Sequence, residues 1–109
     1  MAMEKRNKMK KVLRDGKVGV LISTGWGGGF LTWGAPLEAI FDPELIYLVE
    51  THKHDDMLEY VQKTYPDAYT GGLDDLLVVW VDEGTEFFID EYDGSESIVF
   101  KNSIDWITA

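Results

Sequence analysis

Apolar residues run almost unbroken through two segments of the chain, Val18 to Ile22 and Leu76 to Val81. Short runs of this kind, rich in β-branched residues, predict interior strands covered on both faces. Both are expected in one sheet. Lys11 to Arg14 precedes the first run, and Asp15-Gly16 lies between them. Asp-Gly is favoured in type I′ turns, where both central residues need positive φ, so the two segments read as a β-hairpin. Toward the C-terminus the pattern changes to alternation. Phe87 and Ile89 alternate with Glu86, Phe88 and Asp90, and Asp93-Gly94 is a second hairpin signal before Ser97 to Phe100. Asp82-Glu83-Gly84-Thr85 reads as a hairpin turn between the second run and this alternating strand.

Between residues 36 and 65 the spacing becomes helical. Asp42-Pro43-Glu44 supplies an N-cap, a proline at the first helical position and an acid in the first turn. Leu45, Ile46, Leu48 and Val49 then form one apolar face. A second helix is expected from Asp55-Asp56, with Met57, Leu58, Val61 and Tyr65 on its apolar side, stopped by Pro66. Pro36 opens a short turn ending near Phe41, and Phe30 to Trp33 reads as a short strand. The order β-β-α-α-β-β-β predicts an α+β fold, a mostly antiparallel sheet with helices packed on one face. Residues 1–109 form a single domain, with 1–9 as a flexible basic arm. Trp106 and Ile107 are expected to tuck the C-terminus onto the body.

Charge is divided unevenly. Residues 1–17 carry seven basic and two acidic groups, and residues 18–109 carry three basic and eighteen acidic, which gives the net −10. The body repels nucleic acid at long range, so direct nucleic-acid binding is not expected. The basic arm either neutralises part of that body or meets a phosphate. There are no cysteines, which excludes disulfides and thiolate metal sites and suits a reducing cytosol. No apolar run approaches the roughly 20 residues of a membrane span.

The candidate chemistry is concentrated in residues 23–34. Five of the chain's eleven glycines fall there, at Gly25, Gly27, Gly28, Gly29 and Gly34, interleaved with Trp26, Phe30 and Trp33. Glycines let other groups approach backbone N–H closely, and convergent N–H groups cradle anions. Aromatic rings offer stacking faces. Gly25, Gly27, Gly28 and Gly29 are therefore candidates for phosphate contact, and Trp26, Phe30 and Trp33 for base stacking. Ser23, Thr24 and Thr32 add hydroxyl donors. Arg14 and Lys17, the nearest cations in sequence, offer charge. The bland alternative is a tight connection whose aromatics fill the core. The spacing matches neither a Walker loop nor a dinucleotide fingerprint.

His52 and His54 lie two apart, off a shared helix face, and no further histidine completes a metal set. The paired acids at Asp55-Asp56, Asp74-Asp75, Asp82-Glu83 and Asp90-Glu91 sit at turns and strand ends, where solvated carboxylates are usual. No serine has a nucleophile signature around it. The chain therefore reads as a non-enzyme without metal or cofactor.

Several segments carry a resemblance. They are Arg14 to Val18, Gly25 to Trp33, Phe41-Asp42-Pro43, Glu83-Gly84-Thr85, Glu91 to Ser97 and Trp106-Ile107. Over nearly its whole length the chain resembles a widespread family of small bacteriophage-encoded proteins. The glycine–aromatic and Tyr-Asp-Gly-Ser-Glu segments are the most specific parts. The family is similar to immune-evasion sponges that sequester the cyclic nucleotide messenger of the bacterial CBASS defence. The resemblance implies a homo-oligomer in the cytoplasm of an infected host, binding a cyclic di- or oligonucleotide without cleaving it. The alternative is an acidic, DNA-mimicking inhibitor of a host nucleic-acid-binding protein.

Overall fold

Asp15 and Gly16 take positive φ, 52° and 77°, as a type I′ turn demands. They join β1 (Leu13–Arg14) to β2 (Lys17–Ser23) in antiparallel register, Leu13 opposite Val18. The computed structural model describes residues 10–101, so the basic arm at 1–9 and the expected docking of Trp106 and Ile107 lie outside the described residues. On its other side β2 pairs antiparallel with β3 (Leu76–Asp82), in full register from Lys17 opposite Asp82 to Ser23 opposite Leu76. The sheet order β1-β2-β3 makes β2 central, and every residue from Val18 to Ser23 is buried. β3 is an edge strand, and Val78 to Trp80 are only partly buried. Its apolar run alone does not separate an edge strand from a central one.

β4 (Phe87–Tyr92) and β5 (Ser95–Phe100) form a separate two-stranded antiparallel sheet. Their turn is again Asp-Gly, with Asp93 at φ 49° and Gly94 at 86°. The Asp82 to Thr85 segment does turn, with Thr85 N–H donating to Asp82 O at 3.1 Å. It carries the chain from one sheet to the other, so the hairpin expected there does not form. The α+β class and the element order hold, with the strands divided between two sheets.

The helical region follows its punctuation. Pro36 precedes a 3-10 turn at Leu37–Phe41, and Asp42 caps α1 (Pro43–Glu50). The Asp42 carboxylate accepts from Glu44 N at 2.9 Å and Leu45 N at 3.2 Å. Leu45, Ile46 and Leu48 are buried. α1 ends in a Schellman motif, with Lys53 N donating to Leu48 O and His52 N to Val49 O. His52 takes the left-handed position at φ 57°, so it serves the backbone of the junction. α2 (His54–Thr64) buries Met57 and Val61, one turn apart, and stops before Pro66. Leu58, expected on that face, points outward and is exposed. Phe30 to Trp33 is not a strand. Leu31–Trp33 is a 3-10 turn, because the chain folds back so that Ala35 N bonds Phe30 O at 2.9 Å.

Asp42 also ties the helices together. Its second oxygen accepts from the hydroxyls of Tyr60 (2.7 Å) and Tyr65 (2.5 Å). Partial burial, and then the bond to Asp42, push the Tyr60 phenol up to about 12. Tyr65 is pushed up for the same reasons. Below the ordinary tyrosine value of 10 both phenols are neutral whether the chain is folded or not, so their contacts contribute fully there. Above that pH the unfolded chain ionises first, and the contribution falls as pH rises toward 12. Phenolate absorbance should therefore show two of the five tyrosines ionising late, on the way to alkaline unfolding. Asp42→Asn keeps the capping oxygen but replaces the oxygen that accepts both hydroxyls, so it should bring both titrations down and lower the melting temperature at neutral pH.

Candidate functional site

The residue that organises the glycine–aromatic loop is Glu96, on β5. It is 2% exposed, and both carboxylate oxygens accept hydrogen bonds. One oxygen accepts from Ser23 N at 2.9 Å. The other accepts from Phe30 N at 2.9 Å, Thr32 N at 2.9 Å and the Thr32 hydroxyl at 2.8 Å. Three backbone amides and a hydroxyl thus converge on an anion, as in an anion nest. The anion is the protein's own side chain. Bonds of this kind are charge-assisted and about twice as strong as neutral ones.

The glycines bring three loops together. A Cβ on Gly28 would lie 2.6 Å from Gly72 Cα, and one on Gly94 would lie 2.7 Å from Gly28 N. Both distances are inside van der Waals contact, so backbone meets backbone at these positions. Gly27 N donates to Asp93 O at 2.6 Å, and the Ser23 hydroxyl donates to Gly72 O at 2.9 Å. The Ser95 hydroxyl donates to Thr24 O at 2.8 Å, and the Tyr69 hydroxyl to Gly27 O at 3.1 Å. The glycine–aromatic segment and the Tyr-Asp-Gly-Ser-Glu segment are thus direct partners. Close packing against Gly72 and Gly94 accounts for Gly28 without a ligand. Gly28→Val consequently tests the fold.

The aromatics divide. Phe30 is buried in the core and offers no open face. Trp26 is 71% exposed and stands edge-to-face against Tyr92, itself 70% exposed, at 5.4 Å and 79°. Trp33 is exposed and packs against Tyr69 at 5.2 Å and 61°. Two exposed aromatic pairs therefore stand on one loop. Tyr69 and Tyr92 were not among the sequence candidates. Tyr92 directly precedes the Asp-Gly turn that packs on the loop, which was the available signal.

Among the other candidates, Ser23 is buried and Thr24 is exposed beside Asp75. Thr32 is committed to Glu96. A Cβ on Gly25 would collide with the Asp75 carboxylate, and one on Gly29 with the Trp33 side chain. Arg14 and Lys17 are not brought to the loop. They lie at the opposite end of β2 from Ser23, roughly 20 Å away at strand rise. Arg14 makes a bidentate pair with Glu50 (2.7 and 2.8 Å) and covers the Trp80 ring at 4.7 Å. Lys17 lies 3.3 Å from Asp82. His54 pairs with Asp74 at 3.2 Å, both exposed. No group of three metal-ligating side chains occurs among the described residues, nor any helix long and apolar enough to cross a membrane.

Compared with protein-family models, curated proteins and solved structures, the chain finds no match.

Glu96 gives a test of this architecture. Glu96→Ala leaves Ser23 N and Phe30 N buried without an acceptor and should cost about 3–5 kcal/mol by denaturant unfolding. Glu96→Gln restores one acceptor and sets its NH2 against a backbone donor, so its loss should be smaller, about 1–3 kcal/mol. Hydrogen exchange should speed up first at the Ser23, Phe30 and Thr32 amides. Unchanged exchange there in Glu96→Ala would remove Glu96 from its organising role.

Proposed function

We propose that the chain is a non-catalytic binding protein that sequesters a cyclic di- or oligonucleotide, with Trp26–Tyr92 and Trp33–Tyr69 as its base-stacking faces. The observation that carries this reading is the pair of exposed aromatic contacts on one braced loop. Neighbouring large aromatics left in water mark interaction sites, and flat faces favour planar ligands. The resemblance to phage immune-evasion proteins supplies the biological setting, the cytoplasm of an infected bacterium.

The energetics limit what one copy achieves. Base–aromatic stacking contributes about 1–3 kcal/mol per base. Two faces therefore contribute about 2–6 kcal/mol, which is at best roughly tens of micromolar. A sponge needs roughly nanomolar binding, near −12 kcal/mol. The inner loop amides already serve Glu96, and Arg14 and Lys17 lie at the far end of β2. The remaining affinity and charge compensation come from a second copy facing the same ligand, in a closed homo-oligomer. The acidic body, −15 over residues 18–109, favours the second reading, an inhibitor that mimics DNA.

Incubation with a panel of cyclic nucleotides, with free ligand measured before and after heat denaturation, tests the proposal. Intact ligand released on heating supports sequestration, and cleaved ligand points to an enzyme. No uptake from the whole panel overturns the reading and leaves the acidic inhibitor as the one to pursue. Trp26→Ala should weaken uptake roughly tenfold to hundredfold. Its melting temperature should hardly change, because the ring is 71% exposed.

A further inference from the structure

The outer side of β3 has no strand partner among the described residues. Native edge strands are blunted by lysine, proline or a bulge. Leu76 to Val81 has none of these, and its register with β2 runs without interruption. The run is apolar on both faces, with Leu77 39% exposed and Val78, Val79 and Trp80 partly buried. Such a run suits the interior of a sheet. The backbone on the open side is also ordered. Glu83 N donates to Gly16 O at 2.9 Å and Thr24 N to Asp75 O at 3.3 Å, one step beyond either end of the ladder. Antiparallel alternation then directs the backbone groups of Leu77, Val79 and Val81 toward β2, and those of Val78 and Trp80 outward.

We propose that β3 pairs antiparallel with β3 of a second copy, joining two three-stranded sheets into one of six strands. Self-complementarity selects this occupant. A two-fold axis at Val79 sets Val78 opposite the partner's Trp80, so the outward groups of each copy meet those of the other. All seven residues of the strand overlap in that register, and Leu77 faces the partner's Val81. Area sets the strength. Seven residues at strand rise make an edge about 23 Å long, and at the roughly 10 Å depth of a packed sheet each copy covers on the order of 250 Å². That is well below the roughly 800 Å² per partner of a stable complex, so the dimer is weak and reversible. Charge weakens it further, since the same register sets Glu83 opposite the partner's Asp75 at both ends.

The arrangement also relocates the cations. Ser23 ends β2 beside Leu76, and Lys17 begins it beside Asp82. Reversal of the second sheet brings the partner's Lys17 level with Ser23, three strand spacings or about 14 Å across. Cations that lie at the far end of β2 within one copy thus come from the other. The pairing stands on the sheet edge alone; where the nucleotide reading also holds, it supplies the second copy and the charge which that reading needs.

Sedimentation and amide exchange on the full chain test the pairing. Both are run without nucleotide, so their outcome is separate from that of the uptake panel. Mass should rise from one chain toward two between micromolar and millimolar protein. The Val78 and Trp80 amides should exchange more slowly as concentration rises, while Leu77 and Val79, already bonded to β2, hardly change. Val78→Pro removes an outward N–H and spares the β2 ladder, so it should weaken the dimer at least roughly tenfold. Glu83→Lys turns two repulsions into attractions and should tighten it roughly tenfold. Glu38→Lys, the same charge change at an exposed position on the 3-10 turn, should not. A single-chain mass at every concentration overturns the proposal. A dimer whose Val78 and Trp80 amides stay fast overturns it in favour of another surface. Slow exchange of both amides in the dilute monomer overturns it in favour of a strand from the same chain. Equal effects of Glu83→Lys and Glu38→Lys overturn the register.

Discussion

One buried carboxylate sets the geometry on which the loop depends. Among the described residues Glu96 has no cation as a hydrogen-bond partner, and its charge is stabilised by the amides of Ser23, Phe30 and Thr32 with the Thr32 hydroxyl. A buried charge is tolerated only when its hydrogen bonds are complete, so the surrounding geometry is tightly constrained. Ser23 ends the central strand, Phe30 enters the core, and Thr32 lies in the turn that carries Trp33. A single side chain from the second sheet thus fixes the exit of the first sheet and both ends of the glycine loop. Among the described residues the two sheets share no ladder. Glu96 supplies part of the link that strand pairing does not.

Local chemistry made much of this fold readable. Asp15-Gly16 and Asp93-Gly94 are turns for the stereochemical reason that marks them in sequence, and Asp42-Pro43 and Pro66 bound helices by the same logic. What lay beyond reach needed partners far along the chain. Gly28 is glycine partly because Gly72 and Gly94 press against it, and neither is near in sequence. Glu96 lies two residues past an Asp-Gly turn and was not among the candidate site residues. A signal was nonetheless present. Strand alternation puts Glu96 on the same face as Ile98 and Phe100, both packed against the core. An acid on the apolar face of a strand must find donors, and a glycine-rich loop is the obvious source.

The candidate site was legible as a place and less so as a set of roles. Gly25 to Trp33 does form the loop with the exposed aromatics. The roles shifted because sequence nearness was standing in for distance. Arg14 and Lys17 precede the loop by a few residues, but an extended strand of seven residues separates them from it, and each already holds an acid. Phe30 lies between two exposed tryptophans in sequence, yet its amide bonds Glu96 and its ring enters the core. Tyr69 and Tyr92 come from the two segments that pack on the loop, so pairing the segments was a precondition for finding them.

These features bear jointly on what the loop is suited to do. An open aromatic pair such as Trp26 and Tyr92 forgoes burial that would otherwise add to stability. A loop that merely connected two elements would gain by turning Trp26 inward, as Phe30 does. Trp26 instead stands on a backbone held by Asp93, Gly94 and Tyr69. Fixing the base of an exposed ring lowers the entropy lost when a flat partner settles on it. The same bonds deny the inner amides to an external anion, since Glu96 holds that position. A phosphate would have to displace a buried carboxylate already bonded to three amides, whereas a planar ring displaces only surface water. The loop is therefore better arranged for the face of a ligand than for its charge.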